Sequence, residues 1–521
     1  MEAFLQPLQG LAEFEEIKKR CSVNRGILNI SGCMESQKVH LMYGLSGLFP
    51  CHLILADDER SAKEIYEDYR FYDKNVYFYP AKDLLFFQAD IHGNLLIRQR
   101  MRVIRALLEQ EEVTVVTSID GCMDFLMPLE KIRSSLLHFK SDSVIDLEKL
   151  KADLVELGYE RVGQVELPGQ FSVRGGIIDI YPLTEENPWR IELWDDEIDS
   201  IRSFDAESQR SLENADEITI YPAVEKNDGK DMVSFLDYFP EEKTLLFLDE
   251  PNHLAENGEG VEEEYRQSRM HREEKGEANL PEQWLCGFQE VQKKLNKRNC
   301  VAVSSLSPRR SGWKFTDEFD LTVKSVDSYN SSFELLVKDL LQYKSQGYRI
   351  ALLSGSRTRA ERLAKDLSEE GLNAFYSQDY SRIINPGEIM VVYGHARRGF
   401  QYPLIKFAVM TETDIFGKEQ KKRKKKKKYS GNRIQDFAEL SIGDLVVHEK
   451  HGLGIYRGIE KVEVDRVVKD YIKIEYRGGS NLYILATQLD ALQKYSGSSD
   501  NAKTPKLNKL GGQEWGRTKN R

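Results

Sequence analysis

Two neighbouring stretches set the fold in the middle of this 521-residue sequence: GQFSVRGGIIDIYP (Gly169–Pro182) and RIELWDDEIDSIRSFDAESQRS (Arg190–Ser211). In both, apolar and polar residues alternate, which is typical of antiparallel strands that have one face in water. Gly175 and Gly176 break the first stretch. We therefore predict an α+β domain built on an antiparallel sheet over residues 134–222.

The water-facing side of this predicted sheet carries arginine and tryptophan. If WRIELW is a strand, Arg190 and Trp194 point to one face, while Ile191 points to the core. Arg174 alternates with Val173 in the preceding strand, so we expect it on the same face. A tryptophan flanked by arginines is the composition of a binding hot spot. It is equally typical of a tryptophan lying over a sheet edge with arginine stacked on it.

The flanking regions alternate short apolar strands with amphipathic helices. Gly26–Ser31 and Val113–Asp120 have the composition of buried strands, and Asn94 is a plausible N-cap for a helix with an apolar stripe. The same alternation restarts after residue 330, where a predicted helix ends at Gly371. This pattern predicts mostly parallel sheets covered by helices, and therefore an α/β multidomain protein.

A degenerate phosphate loop joins the first strand to the next helix. GCMESQKV has the spacing of G-x-x-x-x-G-K-[ST], in which glycines let backbone amides reach phosphate, lysine neutralises it and a hydroxyl binds magnesium. Gly32 and Lys38 fit, but Gln37 replaces the second glycine, Val39 replaces the hydroxyl, and Glu35 adds a negative charge. We expect an inactive loop, or an ordinary turn with one surface lysine, and we find no acidic Walker B partner.

A run of eight basic residues, KKRKKKKK (421–428), separates the α/β part from the C-terminal region. Lys424, Lys426 and Lys428 are candidate contacts to DNA phosphates. We favour a solvated tether, because no aromatic residues interleave with the lysines as stacking platforms.

Beyond this linker, short strands separated by turn residues predict a small β-barrel. In the stretch from Tyr456 to Val468, Lys461 and Glu463 would face away from Val462. A charged edge normally prevents strand pairing, yet an edge strand is also the usual place where a partner's strand is added.

The charge is unevenly distributed along the chain. The formal net charge is −11, but residues 418–521 contain 24 basic and 13 acidic residues and carry a net charge of +11. The first 417 residues therefore carry −22. We expect the acidic part to repel nucleic acid and the basic part to tolerate it.

Several classes of protein are disfavoured by composition. The sequence contains no run of 18 apolar residues, so it predicts no membrane-spanning helix. Its first residues lack the basic and apolar regions of a signal peptide. The six cysteines are scattered without a CxxC pair, which indicates reduced thiols and no zinc site. We find no catalytic constellation and no metal-ligand cluster. The expected location is the cytoplasm.

The order of these segments resembles the N-terminal half of the bacterial transcription-repair coupling factor, Mfd. The resemblance rests on the two quoted stretches, on GDLVVHEKHGLGIYRGI with DYIKIEYRGGSNLYI, and on LNKLGGQEWGRTK. The first pair is shared with excinuclease subunit UvrB, and the second with CarD-type polymerase-binding proteins. The resemblance implies a UvrB-like α/β module with an inserted α+β domain, a further small α/β domain and a Tudor/SH3-like barrel. The expected segments are 1–133, 134–222, 223–325, 326–416, the linker 417–437, 438–497 and 498–521.

The resemblance also implies partners. In this family the inserted domain binds UvrA, and the matching residues are Arg174, Arg190 and Trp194, where Trp194 replaces the usual phenylalanine. The barrel docks on the RNA polymerase β subunit by strand pairing. The residues that match this edge are Ile459, Lys461, Val462 and Glu463.

The family's first module lacks ATPase activity, which agrees with the degenerate loop. A further departure is at Leu482–Leu485, where the family has LYVP: Leu485 stands in place of the proline, so that the local strand can continue. The resemblance implies that the complete protein also has a translocase motor, which uses ATP and Mg²⁺ on double-stranded DNA to displace stalled polymerase. We expect this chain to stop before the motor, to be monomeric, and to have no cofactor or ATPase activity of its own. The alternatives are a UvrB-like excision-repair subunit and a CarD-like transcription regulator.

Overall fold

The computed structural model describes residues 1–23, 25–82, 94–225, 231–274, 285–308, 312–417, 440–448, 451–464, 467–477, 480–485, 492–494 and 507. The candidate DNA contacts Lys424, Lys426 and Lys428 lie outside the described residues. So do residues 83–93 and nearly all of 498–521.

Thirteen α-helices, α1 to α13, lie in the described residues: Glu2–Leu5, Ala12–Val23, Glu35–Ser46, Glu59–Tyr72, Asn94–Glu109, Ile119–Cys122, Leu129–Ser135, Leu147–Glu156, Pro251–Glu274, Phe288–Leu295, Phe333–Ser345, Arg357–Glu369 and Glu412–Phe416. Two 3₁₀ segments span Gln6–Gly10 and Phe235–Tyr238. None of the described helices is both long enough and apolar enough to cross a lipid bilayer.

The strands described, β1 to β28, are Gly26–Ser31, Cys51–Ala56, Val76–Tyr79, Val113–Ser118, Phe125–Leu126, Leu137–Lys140, Glu160–Arg161, Gln170–Arg174, Ile177–Tyr181, Trp189–Trp194, Glu197–Phe204, Ser211–Ala215, Glu217–Ile220, Val233–Ser234, Thr244–Asp249, Asn299–Val303, Phe315–Asp320, Lys324–Ser325, Arg349–Ser354, Asn373–Tyr376, Glu388–Tyr393, Phe400–Tyr402, Phe407–Thr411, Leu445–His448, Gly452–Val464, Val467–Glu475, Asn481–Leu485 and Leu492–Lys494.

These elements form an α/β protein with several sheets, as the sequence predicts. The chain divides into two compact units. The first consists of residues 1–81, 109–126 and 231–422, and the second of residues 82–108, 127–230 and 423–521.

In the first unit, seven parallel strands form a sheet in the order β17-β1-β16-β15-β2-β4-β3. Strands β1, β2 and β4 are buried along their whole length, because both faces of a parallel sheet are covered. Strands β15 and β16 lie between β1 and β2. The segment from 127 to 230 is therefore an insertion into the connectivity of this sheet.

A second sheet in the same unit has the order β18-β22-β23-β19-β21-β20 and carries the helices α11 and α12. It shares one hydrophobic core with the first sheet. Phe4 and Tyr72 from the first α/β region lie in the same cluster as Phe407 and Val409 from the second. Burial of such large side chains contributes on the order of 2 kcal/mol each, so the two α/β regions are held together by packing.

In the second unit, six strands form a sheet in the order β12-β11-β10-β9-β8-β7, antiparallel except for the short β7–β8 pair. Helix α5 is anchored to the same unit by arginines. The fully buried Arg100 pairs with Glu225, and Arg105 pairs with Glu185. The guanidinium of Arg100 and the ammonium of Lys82 outweigh burial and hold the pKa of Glu225 well below its usual range.

The C-terminal sheet is antiparallel, with the order β27-β26-β25-β24-β28. Its core contains Val446, Ile472, Ile474 and Leu492. Leu485, at the position where the related family has proline, pairs with Tyr471 of β26 and is the last residue of β27. It has the backbone N–H that proline lacks, and residues 486–491 after it lie outside the described residues.

Candidate interaction surfaces

Arg174 and Arg190 meet on a single carboxylate. The register pairs Arg190 of β10 with Asp179 of β9, and Asp179 with Ser172 of β8, so that Arg174 lies on the same face. Arg174 Nη2 donates to Asp179 Oδ2 at 2.7 Å. Arg190 donates from Nε to Oδ1 at 2.7 Å and from Nη2 to Oδ2 at 2.9 Å. The opposite face of the sheet is apolar, with Ile178 and Ile191 fully buried.

Arg190 is largely enclosed within its own domain. Its guanidinium carbon lies 4.3 Å from the centre of the Phe204 ring, and Nη2 also donates to Gln209 Oε1 at 3.0 Å. Its side chain is 14% exposed. The hydrogen bonds to Asp179 raise the pKa of Arg190 above its ordinary value, so the side chain is a permanent cation. The arginine side chain on this face that is open to a partner is Arg174, which is 46% exposed.

Trp194 stands at the end of β10 with 81% of its surface exposed. Its strand partner is Glu197 of β11, which in turn bridges to Val144 on its other side. Val144 is also highly exposed. Since bridge partners share a face, an indole and a valine flank one carboxylate at this end of the sheet. The stacked arrangement, in which arginine covers the tryptophan, is not supported by an indole this exposed.

Two residues of this face, Asp179 and Val144, do not emerge from the sequence analysis. Asp179 is the single acidic residue in the apolar run GGIIDIYP. Because side chains alternate between the two faces of a strand, its position predicts that it shares a face with Arg174 and Arg190. That position is a signal that could have identified it. Val144 precedes the helix α8 and has no comparable signal. A second pair on the same face, Glu192 with Arg202, is joined by hydrogen bonds that include one of 2.9 Å.

The degenerate phosphate loop between β1 and α3 is filled by the chain's own groups. Lys38 Nζ binds Asp249 Oδ1 at 2.7 Å and Glu250 Oε1 at 2.6 Å. Burial acts to lower the pKa of Lys38, but the two carboxylates outweigh it and the net shift is upward. Ser305 Oγ donates to the same Glu250 oxygen at 2.6 Å. The positive charge of Lys38 is thus neutralised by carboxylates of the same chain.

Two expectations about this loop are wrong. Lys38 is 8% exposed and is not a surface lysine. An acidic pair with a plausible partner does exist, because Asp249 ends β15 and Glu250 follows it. The reason is topological: β15 lies two strands away from β1 in the sheet, which brings the carboxylates to the loop.

The other loop residues also have internal roles. Gly32 has a φ of 77°, and a Cβ there would lie 2.1 Å from the carbonyl oxygen of Leu321, so the turn requires glycine. Gln37 Oε1 accepts from the N–H of Met34 at 3.0 Å, and its Nε2 donates to Tyr402 Oη at 2.9 Å. Val39 is fully buried. Side chains of the protein therefore occupy the first turn of α3.

The predicted polymerase-binding residues lie on the long strand β25. Ile459 pairs with Ile472 of β26, Lys461 with Asp470, Val462 with Lys469 and Glu463 with Val468. The pairing of β25 with β24 involves residues 452–455. In the described ladders, the part of β25 from Ile459 to Val464 is paired on its β26 side alone. This leaves a strand edge of the kind on which a partner's strand can add.

Comparisons with known proteins match the two regions of the chain that contain these candidate surfaces. Residues 137–225 match the UvrB interaction domain. Residues 440–496 match the CarD-like/TRCF RID domain. The chain thus belongs to the class of proteins that carry these two domains in one polypeptide.

Most of the chain is similar to curated transcription-repair-coupling factors. The transcription-repair-coupling factor of Bacillus subtilis (strain 168) is 31% identical over an alignment that covers 94% of this chain and 48% of the relative. The factor of Staphylococcus aureus (strain MRSA252) is 29% identical, with 86% and 43% covered. That of Staphylococcus epidermidis (strain ATCC 12228) is likewise 29% identical. The chain spans about half the length of these relatives, and it is a homologue of the N-terminal half of transcription-repair-coupling factors.

Proposed function

We propose that this chain is the recruitment half of a transcription-coupled nucleotide excision repair factor. In this role it docks on stalled RNA polymerase and recruits UvrA to the damaged DNA. The observation that carries the proposal is the presence, in one chain, of a UvrB interaction domain and a CarD-like/TRCF RID domain. Proteins that resemble UvrB or CarD alone explain one of these domains and leave the other without a role.

For UvrA, the proposed contacts are Arg174, Arg190 and Trp194. An exposed tryptophan beside arginine is the composition that dominates binding energy at protein interfaces. The partner surface that fits this face presents a carboxylate to Arg174 and an apolar group to Trp194.

For RNA polymerase, the proposed site is the β25 edge with Ile459, Lys461, Val462 and Glu463, and the proposed target is the β subunit. Strand addition suits this edge because main-chain hydrogen bonds supply affinity and alternate side chains supply specificity. We further propose that the five strands of the C-terminal sheet form a Tudor/SH3-like barrel, and that the α/β part is a UvrB-like module.

We assign the remaining functions to the part of the relatives that lies outside the alignment with this chain. In that part we propose a translocase that uses ATP and Mg²⁺ to move on double-stranded DNA and displace the polymerase. We propose that the matched half is monomeric, acts in the bacterial cytoplasm, and does not hydrolyse ATP. The Lys38 ion pair with Asp249 and Glu250 supports the absence of hydrolysis, because the phosphate-binding cation is already neutralised.

Binding of the 521-residue chain to purified UvrA and to RNA polymerase tests the proposal. Both should bind, and Arg174→Ala combined with Arg190→Ala should weaken UvrA binding by at least about 30-fold, the loss expected for one hot-spot residue. Polymerase affinity of the same variant should stay unchanged. If neither partner binds the unmodified chain, the proposed function is refuted.

A further inference from the structure

We propose that Asp179 is a positioning residue of the UvrA-binding face: its carboxylate fixes Arg190, and through the shared carboxylate it fixes the orientation of Arg174 towards the partner. The inference rests on the proposed function and deepens it. It assigns a role to a residue that touches no partner itself.

The geometry separates an inner arginine from an outer one. Asp179 is 1% exposed and accepts three hydrogen bonds from two guanidinium groups. Arg190 donates from Nε and twice from Nη2, so three of its five N–H groups bind within the domain. Arg174 donates to Asp179 from Nη2. The inner arginine neutralises the buried carboxylate, and the outer one presents its other N–H groups to solvent.

The charges of this cluster favour an acidic partner. Asp179 carries one negative charge against the two positive charges of Arg174 and Arg190. The neighbouring Glu192 is already paired with Arg202. The cluster therefore keeps one uncompensated positive charge at the exposed arginine of β8, while the exposed indole of Trp194 stands two strands away at the end of β10. A carboxylate that lies beside an apolar group on UvrA would complement both.

Preorganisation is the physical advantage of this arrangement. A free arginine side chain loses considerable rotamer entropy when it is immobilised at an interface. Because Arg174 is held by Asp179 before the partner arrives, part of that entropic cost is already met by folding. Asp179 should thus act on affinity through Arg174 and not through a contact of its own.

A double-mutant cycle on the full chain tests this mechanism, with UvrA affinity measured by biolayer interferometry. Arg174→Ala should weaken binding about 30-fold, and Asp179→Asn about tenfold. If Asp179 acts through Arg174, the double variant should also lose about 30-fold to 50-fold. Losses that multiply to about 300-fold would show independent roles and overturn the proposal. Unchanged affinity of Asp179→Asn would overturn it as well.

Controls keep the result distinct from misfolding and from failure of the proposed function. Glu192→Gln breaks the other arginine–carboxylate pair of the face and should change UvrA affinity by less than about threefold. Circular dichroism and urea unfolding report whether each variant is folded, because polymerase binding depends on a different sheet. If Asp179→Asn does not fold, Asp179→Glu, which keeps the carboxylate but moves it by one methylene, takes its place in the cycle. It should weaken UvrA binding about threefold, with no further loss in the Arg174→Ala background, and additive loss would refute the mechanism. If the unmodified chain does not bind UvrA, the UvrA-recruiting part of the proposed function fails. If the chain binds UvrA and the losses are additive, this inference alone is overturned.

Discussion

At the scale of single residues, Lys38 shows how a phosphate-binding residue has become structural. In working phosphate loops this lysine neutralises the ligand. Here its ammonium lies within 2.7 Å of carboxylate oxygens from both Asp249 and Glu250 and is almost completely buried. Burying a charged group is costly unless it is paired, so the three side chains depend on one another.

Lys38→Met should therefore lower the free energy of unfolding by about 3 kcal/mol, because it leaves two neighbouring carboxylates without their cation. Urea unfolding of the chain measures this loss. Adding Asp249→Asn to Lys38→Met should restore at least half of it, since Glu250 keeps its hydrogen bonds from Ser305. Stabilisation of the unmodified chain by Mg²⁺–ATP that disappears in Lys38→Met would contradict the structural role.

Among the helices, α3 joins the two α/β regions of the first unit through polar side chains in its first two turns. Gln37 donates to Tyr402 Oη of β22, and His40 Nδ1 lies 3.1 Å from the same oxygen. His40 Nε2 lies 2.9 Å from the carbonyl oxygen of Phe4 in α1. These contacts are all satisfied when His40 is neutral, with Nε2 protonated and Nδ1 accepting from Tyr402. The helix thus links α1, the first sheet and the second sheet.

The pH dependence of stability should reveal this neutral histidine. Burial lowers the pKa of His40 from 6.5 to about 4. The unfolded chain therefore takes up a proton at higher pH than the folded chain does. The stabilisation that results is complete above pH 6.5 and is lost as the pH falls towards 4, and it amounts to about 3 kcal/mol.

Unfolding free energies measured between pH 7 and pH 4 check this value. His40→Gln keeps one donor and one acceptor but cannot titrate, so its stability should fall by about 3 kcal/mol less than that of the unmodified chain over this range. Identical pH profiles for the two proteins would disprove the assignment.

The elements that the sequence predicts correctly are those with strong local patterns. Strand β4 follows from the apolar run VTVVTS, and α12 ends shortly before Gly371, whose φ of 79° is in the left-handed region that favours glycine. The shared face of Arg174 and Arg190 follows from a period of two residues. In each case the information lies within one or two elements.

The features that the sequence does not reveal depend on long-range topology. Lys38 and its partner Asp249 are 211 residues apart, and Gln37 and Tyr402 are 365 residues apart. Local periodicity contains nothing that links such positions, because strand order in a parallel sheet differs from chain order. The paired arginines could be predicted to share a face, and the alternation in GGIIDIYP offers a signal for Asp179, but the contacts among the three side chains required the register of β9 against β10.

At the C-terminal sheet, Val462→Arg should weaken RNA polymerase binding by at least about tenfold. A charged side chain at the centre of an edge that pairs with another strand would be desolvated without a partner. Affinity for polymerase, measured with the chain immobilised, provides the test. Tyr483→Ser on β27, two strands away in the sheet order, is the matched control and should bind normally. Equal affinity of Val462→Arg and the unmodified chain would exclude this edge as the docking site.

On the scale of the whole molecule, charge and binding sites are distributed between separate parts of the sequence. The first 417 residues carry a net charge of −22 and contain the UvrB interaction domain, while the remaining residues carry +11 and contain the CarD-like domain. The net charge of −11 describes neither part. Because each candidate surface lies on its own sheet, we expect changes at one surface to leave the other intact.

A bridging experiment tests whether one chain can serve both partners. RNA polymerase immobilised on beads should retain UvrA only when the 521-residue chain is added. With Trp194→Ser the beads should still retain the chain but lose UvrA, since removing an exposed hot-spot tryptophan costs at least about tenfold in affinity. With Val462→Arg the beads should lose both the chain and UvrA, because the chain is the only link between them. Glu192→Gln should behave like the unmodified chain. Retention of UvrA by beads carrying the Trp194→Ser chain would contradict a linear bridge and would place the UvrA contact elsewhere on the molecule.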